Sequence, residues 1–233
     1  MAIRIITDSA ADFDREVAKR RKIDIVSLSV QFGSASFLDG KNLTTEVFYK
    51  LLKEGKENPK TAQPSPADFL TLFEEAKAAG DQVVVVSLSG ALSGTLQSAS
   101  IAKDMCEYEP IYIVDSRSAT AGMQILVNYA CKLRDSGLPA QDIAAQLEQL
   151  RGKIRIFAMV DTLEYLRRGG PALRHPGGHR HRHQAQAHHH RPGRRGGRGR
   201  QSLRHRRRGE DPAEADGGTP CGRRLPLLLP LYR

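Results

Sequence analysis

The stretch VVVVSLSGALSGTLQSA, from Val83 to Ala99, decides the fold class of this chain. Four consecutive valines predict a strand that is buried on both faces, as strands of a parallel sheet are. The serine- and glycine-rich segment from Ser87 to Gly94 then predicts a loop that leads into a helix. In open α/β folds such loops lie at the carboxyl edge of the sheet, where ligands bind.

Strands and helices alternate on both sides of this stretch. We predict strands over residues 3–8, 23–32, 82–88, 110–116 and 154–161. We predict helices over 9–21, 44–55, 66–80, about 94–105, about 119–137 and 138–153. Residues 56–66 are predicted to form a loop. This alternation indicates an α/β chain with a mainly parallel sheet and helices on both of its faces.

The positive charge of the chain is concentrated at one end. Residues 1–170 contain 21 lysines and arginines and 22 acidic residues, whereas residues 171–233 contain 15 arginines, no lysine and 4 acidic residues. All eight histidines also lie in residues 171–233, which we name the arginine-rich tail. The net charge of +10 therefore describes the tail and not the folded body.

Three interpretations of the arginine-rich tail compete. Its RRGGRGR segment is typical of arms that bind RNA, and its histidine clusters could bind a metal. Alternatively, the tail is a coding sequence read in the wrong frame. If the first base of each codon is dropped, histidine codons become isoleucine or threonine codons, and the missing β-branched and aromatic residues reappear. We favour the shifted frame, which sequencing the gene across codon 170 tests; we expect no regular structure in the tail.

The cysteines and apolar runs further limit the classes of protein to which the chain could belong. Cys106, Cys131 and Cys221 have spacings that fit neither a disulfide framework nor a zinc site, which favours a reducing cytoplasm. The amino terminus begins with a strand and early charges, unlike a signal peptide. The apolar run LPLLLPL near the carboxyl terminus is too short to span a bilayer.

Hydroxyl-rich loops at strand ends are the candidate sites. Hydroxyls and free amides at helix amino termini bind anions, although capping explains any one such residue more simply. Three loops supply supporting residues, namely Asp8, Ser9, Ser89, Gly90, Asp115 and Ser116, and one of these loops also carries Ser93, Gly94 and Thr95. A fourth polar loop, KTAQPSP, leads into a helix and contains Thr61.

Enzyme classes fit these loops poorly. GALSG has the wrong spacing for a nucleophile elbow, Gly94-Thr95 lacks the lysine of a P-loop, and residues 1–170 contain no histidine for a triad. Asp8 and Asp115 could hold Mg²⁺ for phosphatase chemistry, but capping accounts for both. We therefore predict a binding protein for a carboxylate or phosphate group, with no catalytic residue, no metal and no cofactor.

Five ordered motifs resemble those of DegV family proteins: ITDSAAD, TAQPSP, SLSGALSGTLQSA, VDSRSATAG and TLEYLRRGG, within Met1 to Gly170. The resemblance implies a cytoplasmic fatty-acid-binding protein of two α/β domains, with the acyl chain buried between them. It also implies a partner kinase that converts the bound long-chain fatty acid to acyl-phosphate. Thr61 and Ser93 would bind the fatty-acid carboxylate, and the amides around Gly94 and Thr95 would complete the cradle.

After Gly170 the chain departs from the DegV pattern, which continues with an apolar helix and an IKP-like strand. The shifted frame offers such codons near His183 to Ala187. We expect a DegV-like domain over 1–153, the start of a second domain over 154–170, and a truncated or replaced second domain beyond. The resemblance also implies a basic or histidine residue near the head group, which this chain lacks. We therefore expect weak or absent lipid retention.

Overall fold

The computed structural model describes residues 2–55, 58–160 and 185–189. The strands are β1 Ile3–Asp8, β2 Ile23–Val26, β3 Ser29–Phe32, β4 Ala35–Leu38, β5 Lys60–Ala62, β6 Gln82–Ser87, β7 Ile111–Asp115, β8 Ile156–Val160 and β9 Ala185–His189. The helices are α1 Arg15–Arg20, α2 Thr45–Glu54, α3 Pro66–Ala79, α4 Thr95–Cys106, α5 Thr120–Asp135 and α6 Ala140–Arg151. A 3₁₀ turn covers Ser9–Ala11.

The valine run forms a central strand of a parallel sheet, as predicted. The strand order is β2-β1-β6-β7, and every neighbouring pair is parallel. Val83 and Val85 pack with α3 and α4 on one face, whereas Val84 and Val86 pack with α5 and α6 on the other. Both faces are therefore apolar, which explains why consecutive valines are needed rather than an alternating pattern.

The predicted strand over residues 23–32 is wrong as a single element. It divides into β2, which joins the parallel sheet, and β3, which lies in a second, antiparallel sheet of order β4-β3-β5. Ser27 and Leu28 form the break. The Leu28 N–H donates to Ser9 Oγ at 3.1 Å and the Ser27 hydroxyl donates to the Asp39 carbonyl at 2.9 Å. These long-range contacts, rather than local propensity, separate the two strands.

The predicted loop over residues 56–66 contains the short strand β5, which the sequence analysis missed. Thr61 lies opposite Val30 of β3 in the antiparallel register. Directly opposed residues share a face of the sheet, so Thr61 lies on the face that carries the buried Val30. Pro59 and Pro64 flank β5, and prolines cannot donate to a ladder, so the strand is limited to three residues.

The first predicted helix is wrong at its start. Ser9 does not cap a helix; it belongs to the 3₁₀ turn, and Asp12 follows in the left-handed region with φ 54°. The helix α1 begins only after Asp14, whose carboxylate accepts a hydrogen bond from the Val17 N–H at 3.0 Å. The small side chains of Ala10 and Ala11 are fully buried in a cluster with Leu28, Leu88 and Met123.

Other helix boundaries follow their predicted signals. The Thr44 hydroxyl accepts from the Val47 N–H at the start of α2, and Gly55 ends that helix. Pro66 begins α3, and Gly80 ends it with φ 68°, a conformation that glycine adopts without strain.

One strand lies in the arginine-rich tail, so the prediction of no regular structure there is wrong at Ala185–His189. This strand, β9, pairs in parallel with β8. Its position overlaps the segment where the DegV resemblance implies a strand. Backbone N–H and C=O groups form the ladder, so the composition of the tail does not prevent pairing. The remaining predictions for the tail lie outside the described residues.

Candidate functional site

The loop between β6 and α4 is held by carboxylates from the strands on either side. Asp8, at the end of β1, accepts a hydrogen bond from the Leu88 N–H at 2.7 Å. Asp115, at the end of β7, accepts one from the Gly90 N–H at 3.2 Å. The two aspartates therefore anchor the loop from two strands at the carboxyl edge of the sheet.

Asp8 and Asp115 also accept local backbone N–H groups, as capping predicts. Asp8 accepts from Ala10 at 3.1 Å, and Asp115 accepts from Arg117 at 2.9 Å. Burial raises the pKa of Asp8 to about 7, although its backbone donors act in the opposite direction. Both carboxylates thus position the loop. The described part of the chain contains no cluster of three or more side chains suited to a metal ion.

The residues predicted to bind the carboxylate lie at the amino end of α4. Gly94 is the residue before the helix, and Thr95 is its first residue. The hydroxyls of Ser93 and Thr95 are 2.9 Å apart, and Ser93 Oγ also accepts from the Thr95 N–H at 3.3 Å. One hydroxyl of the pair donates to the other, which leaves the second hydrogen to donate to an anion. We name residues 93–95 the α4 arm.

The strand β5 approaches the α4 arm through Gln63. The Gln63 Nε2 donates to Ser98 Oγ at 3.1 Å, in the first turn of α4. A Cβ atom built on Gly94 would overlap Gln63 Oε1 and would lie 2.7 Å from Gln63 Cδ. The segment that carries Thr61 therefore contacts the α4 arm. We name residues 60–63 the β5 arm, and the two arms together the candidate cradle.

Three serines of the supporting loops hydrogen-bond to the backbone. Ser9 Oγ accepts from the Leu28 N–H, and Ser116 Oγ accepts from the Ser118 N–H at 3.1 Å. Ser89 Oγ accepts weakly from the Ala91 N–H at 3.4 Å, and the Ser89 carbonyl accepts from the Ser93 N–H at 3.1 Å. Ser89 and Ser116 bond locally to loop amides, whereas Ser9 bonds to a distant segment of the chain.

A group of three carboxylates, from Asp8, Asp12 and Asp39, had no signal in the sequence, and of these Asp8 is fully buried. Asp12, Asp39 and Asp8 lie close enough that Asp39 raises the pKa of both other groups. Burial, followed by Asp39 and Asp8, raises the pKa of Asp12 to about 7. Burial also raises the pKa of Asp39, which the neighbouring Arg15 partly offsets. The sequence showed these aspartates only as separate turn and helix residues.

A surface cleft of about 620 Å³ lies at the opposite, amino edge of the sheet. It is lined by Arg20, Arg21, Lys22 and Arg134 among others. Arg134 donates to the backbone carbonyls of Lys22 and Arg21 at 3.1 and 3.0 Å, so it closes the end of α1. This cleft is separate from the candidate cradle, and helix capping accounts for its principal arginine.

Among the residues that the structure describes, no helix combines the length and apolar character needed to cross a bilayer. The two cysteines in that part, Cys106 and Cys131, are buried free thiols.

A family model described as an uncharacterised protein of the DegV family matches residues 2–179. A DegV domain-containing protein of Caldanaerobacter subterraneus is 38% identical over 168 residues, which cover 72% of this chain and 60% of that protein. The chain belongs to the DegV family. It spans about 60% of the length of the curated relatives that it matches.

Solved structures agree with this membership. A Thermus thermophilus DegV family protein, described for its fatty acid binding, is 33% identical with a TM-score of 0.63; the match covers 72% of this chain and 60% of that one. The Streptococcus pneumoniae Fatty Acid Kinase B3 protein, loaded with linoleic acid, is 27% identical with a TM-score of 0.57; the match covers 65% and 55% of the two chains.

Proposed function

We propose that this DegV family member binds a long-chain fatty acid and does not itself catalyse a reaction. The Thr61 and Ser93 hydroxyls would donate to the lipid carboxylate, and the amides around Gly94 and Thr95 would complete the cradle. The observation that carries this proposal is the contact between the β5 arm and the α4 arm, made through Gln63. This contact supports the proposal because it joins the segment that carries Thr61 to the amino end of the helix that follows Ser93.

The chemistry of the candidate cradle favours an anionic head group. A carboxylate accepts several hydrogen bonds, and hydroxyls beside a helix amino terminus supply donors together with the positive end of the helix dipole. The acyl chain would supply most of the affinity, because burying ~16 carbons at ~0.8 kcal/mol each gives an upper bound of order 10 kcal/mol. The head group would then fix the orientation of the lipid.

We propose further that the protein presents its fatty acid to a kinase in the cytoplasm, which forms an acyl-phosphate. Support comes from the similarity to the Streptococcus pneumoniae protein, which is named as a fatty acid kinase component and is loaded with linoleic acid. Residues 60–63 and 93–95 include no histidine or carboxylate that could act as a base, which agrees with a separate catalytic subunit.

Retention of lipid by this chain should be weak. The family model matches residues 2–179 only, and the DegV resemblance implies that the acyl chain lies between two domains. Mass spectrometry of organic extracts from the purified protein checks this expectation. Stoichiometric fatty acid would contradict it, although it would support the proposed binding function.

Titration of the full chain with palmitate tests the proposed site. Thr61→Ala and Ser93→Ala should each weaken binding by about tenfold, because each removes a hydrogen bond to a charged group worth ~1.5 kcal/mol or more. Thr71→Ala and Ser100→Ala are matched controls, since their hydroxyls donate to carbonyls within α3 and α4. Equal affinities for all four variants would exclude the site.

The same chain allows a test of the rival function. An RNA-binding arm predicts an RNA mobility shift that weakens with salt and disappears when residues 171–233 are deleted. The fatty-acid proposal predicts that palmitate binding depends on Thr61 and Ser93 instead.

A further inference from the structure

Gln63 makes two contacts with the amino end of α4. Its Nε2 donates to Ser98 Oγ at 3.1 Å, and its carboxamide lies against Gly94 so closely that a Cβ there would overlap it. Gly94 has φ −74°, which any residue adopts. The backbone conformation therefore does not require glycine at this position; the contact with the Gln63 carboxamide does.

The β5 arm needs such a contact to hold its position. β5 has only three residues, and among the described residues it pairs with β3 on one side only. Holding a short edge segment in one conformation costs entropy that three ladder residues offset poorly. A side-chain hydrogen bond to a buried hydroxyl on α4 supplies an additional constraint, because Ser98 is only 1% exposed.

We propose that Gln63 is a positioning residue that ties Thr61 to the α4 arm and keeps an uncharged group beside the fatty-acid head. This inference rests on the proposed function. Glutamine suits both roles, because its amide donates to Ser98 and its carbonyl adds no net charge near the bound carboxylate. A glutamate of the same size would lose the donor and repel the anion.

Two probes separate the two roles: palmitate, which is anionic, and hexadecanol, which has the same chain and a neutral head. Gln63→Ala should weaken binding of both probes by about fivefold, because one neutral hydrogen bond is lost. Gln63→Glu should weaken palmitate binding by about a further tenfold. Its affinity for hexadecanol should equal that of Gln63→Ala. The palmitate-to-hexadecanol ratio is a readout that a merely structural role would not move.

Gln31→Glu is the matched charge control. Gln31 is exposed on β3, opposite Lys60 in the register and one residue out of phase with Thr61. The Gln31→Glu substitution makes the same charge change on the other face of the same sheet. The affinities for palmitate and hexadecanol should therefore both stay unchanged. Two results would overturn the placement of Gln63 beside the head group. One is that Gln63→Glu weakens binding of palmitate and hexadecanol equally. The other is that Gln31→Glu weakens palmitate binding as much as Gln63→Glu does.

A lipid-free measurement tests the contact itself. In the ¹⁵N-labelled full chain, the Gln63 carboxamide resonances are identified by their absence in Gln63→Ala, and Ser98→Ala should shift them. Unchanged resonances would overturn the positioning role. If the unaltered chain binds no palmitate but the resonances shift, the proposed function fails while the contact stands, so the two failures are distinguishable.

Discussion

The four-stranded parallel sheet and the three-stranded antiparallel sheet differ in how deeply they are buried. Val83 to Val86 of β6 are fully buried, as are Phe69 and Phe73 of α3. In contrast, α2 beside the small sheet contains no buried residue, and Leu38 of β4 is 39% exposed. The α4 arm is therefore attached to a helix of the larger core. The β5 arm belongs to a thinly packed sheet, whose position depends on side-chain contacts.

Matched phenylalanine substitutions should reveal this difference most strongly. Phe73→Ala should lower the free energy of unfolding by ~3–5 kcal/mol, because it opens a cavity in the core between α3, α4 and the sheet. Phe48→Ala should cost only ~1 kcal/mol, since Phe48 is half-buried and packs edge-on against Phe32 with ring centres 5.7 Å apart. Urea unfolding of both variants measures the two values; similar costs would mean that the regions are equally well packed.

The neighbouring carboxylates of Asp8, Asp12 and Asp39 should make stability depend on pH. The pKa of Asp12 is raised from 3.8 to about 7 in the folded protein, so the folded state binds more protons than the unfolded state between those values. The stabilisation is fully present below about pH 4 and is lost as the pH rises through about 7. Charged neighbours of Asp12 are Asp39 and Asp8, and Tyr49 faces it from α2.

Asp12→Asn tests this dependence, because asparagine tolerates the left-handed φ of 54° and stays neutral. The variant should gain on the order of 1 kcal/mol over the unaltered chain above neutral pH and nothing near pH 4. Denaturant midpoints across that range provide the measurement, with Asp14→Asn as an exposed control. A gain that does not vary with pH would contradict the assigned cause.

Capping substitutions should give the smallest effects on stability. They should also show whether each helix unfolds together with the main core. Asp68→Ala removes the acceptor of the Ser65 N–H at the start of α3, and Thr44→Ala removes the cap of α2. Each should cost ~1 kcal/mol locally. For α3 the loss should appear in global unfolding, whereas for α2 it should appear mainly as faster amide hydrogen exchange within Thr45–Glu54. Equal global losses would show that α2 unfolds together with the main core.

Much of the main sheet could be predicted because its signals are local. The valine run, Pro66 at the start of α3 and Gly80 at its end each act through their own backbone or side chain. The split between β2 and β3 could not be predicted in this way, because IDIVSLSVQF has a continuous strand-like composition. Contacts to Ser9 and Asp39, distant in the chain, decide where it breaks.

The residues of the candidate site also differ in whether the sequence could predict them. Hydroxyl-rich loops marked Ser93 and Thr95 as anion-binding candidates, and the DegV resemblance added the role of Thr61. Gln63 had no signal of its own, because a glutamine between an alanine and a proline is ordinary in a loop. Its importance emerges only when Gly94 lies beneath it.

The amino-acid sequence alone determined the α/β class, the doubly buried strand and the family, because these follow from local pattern and motif order. Only the tertiary structure decided which loops meet. Asp8 and Asp115, at the ends of two strands, accept hydrogen bonds from one loop. Gln63, next to an edge strand, donates to Ser98 of a helix, 35 residues away in the chain. Such contacts depend on the distance between side chains in space, which no local sequence pattern encodes.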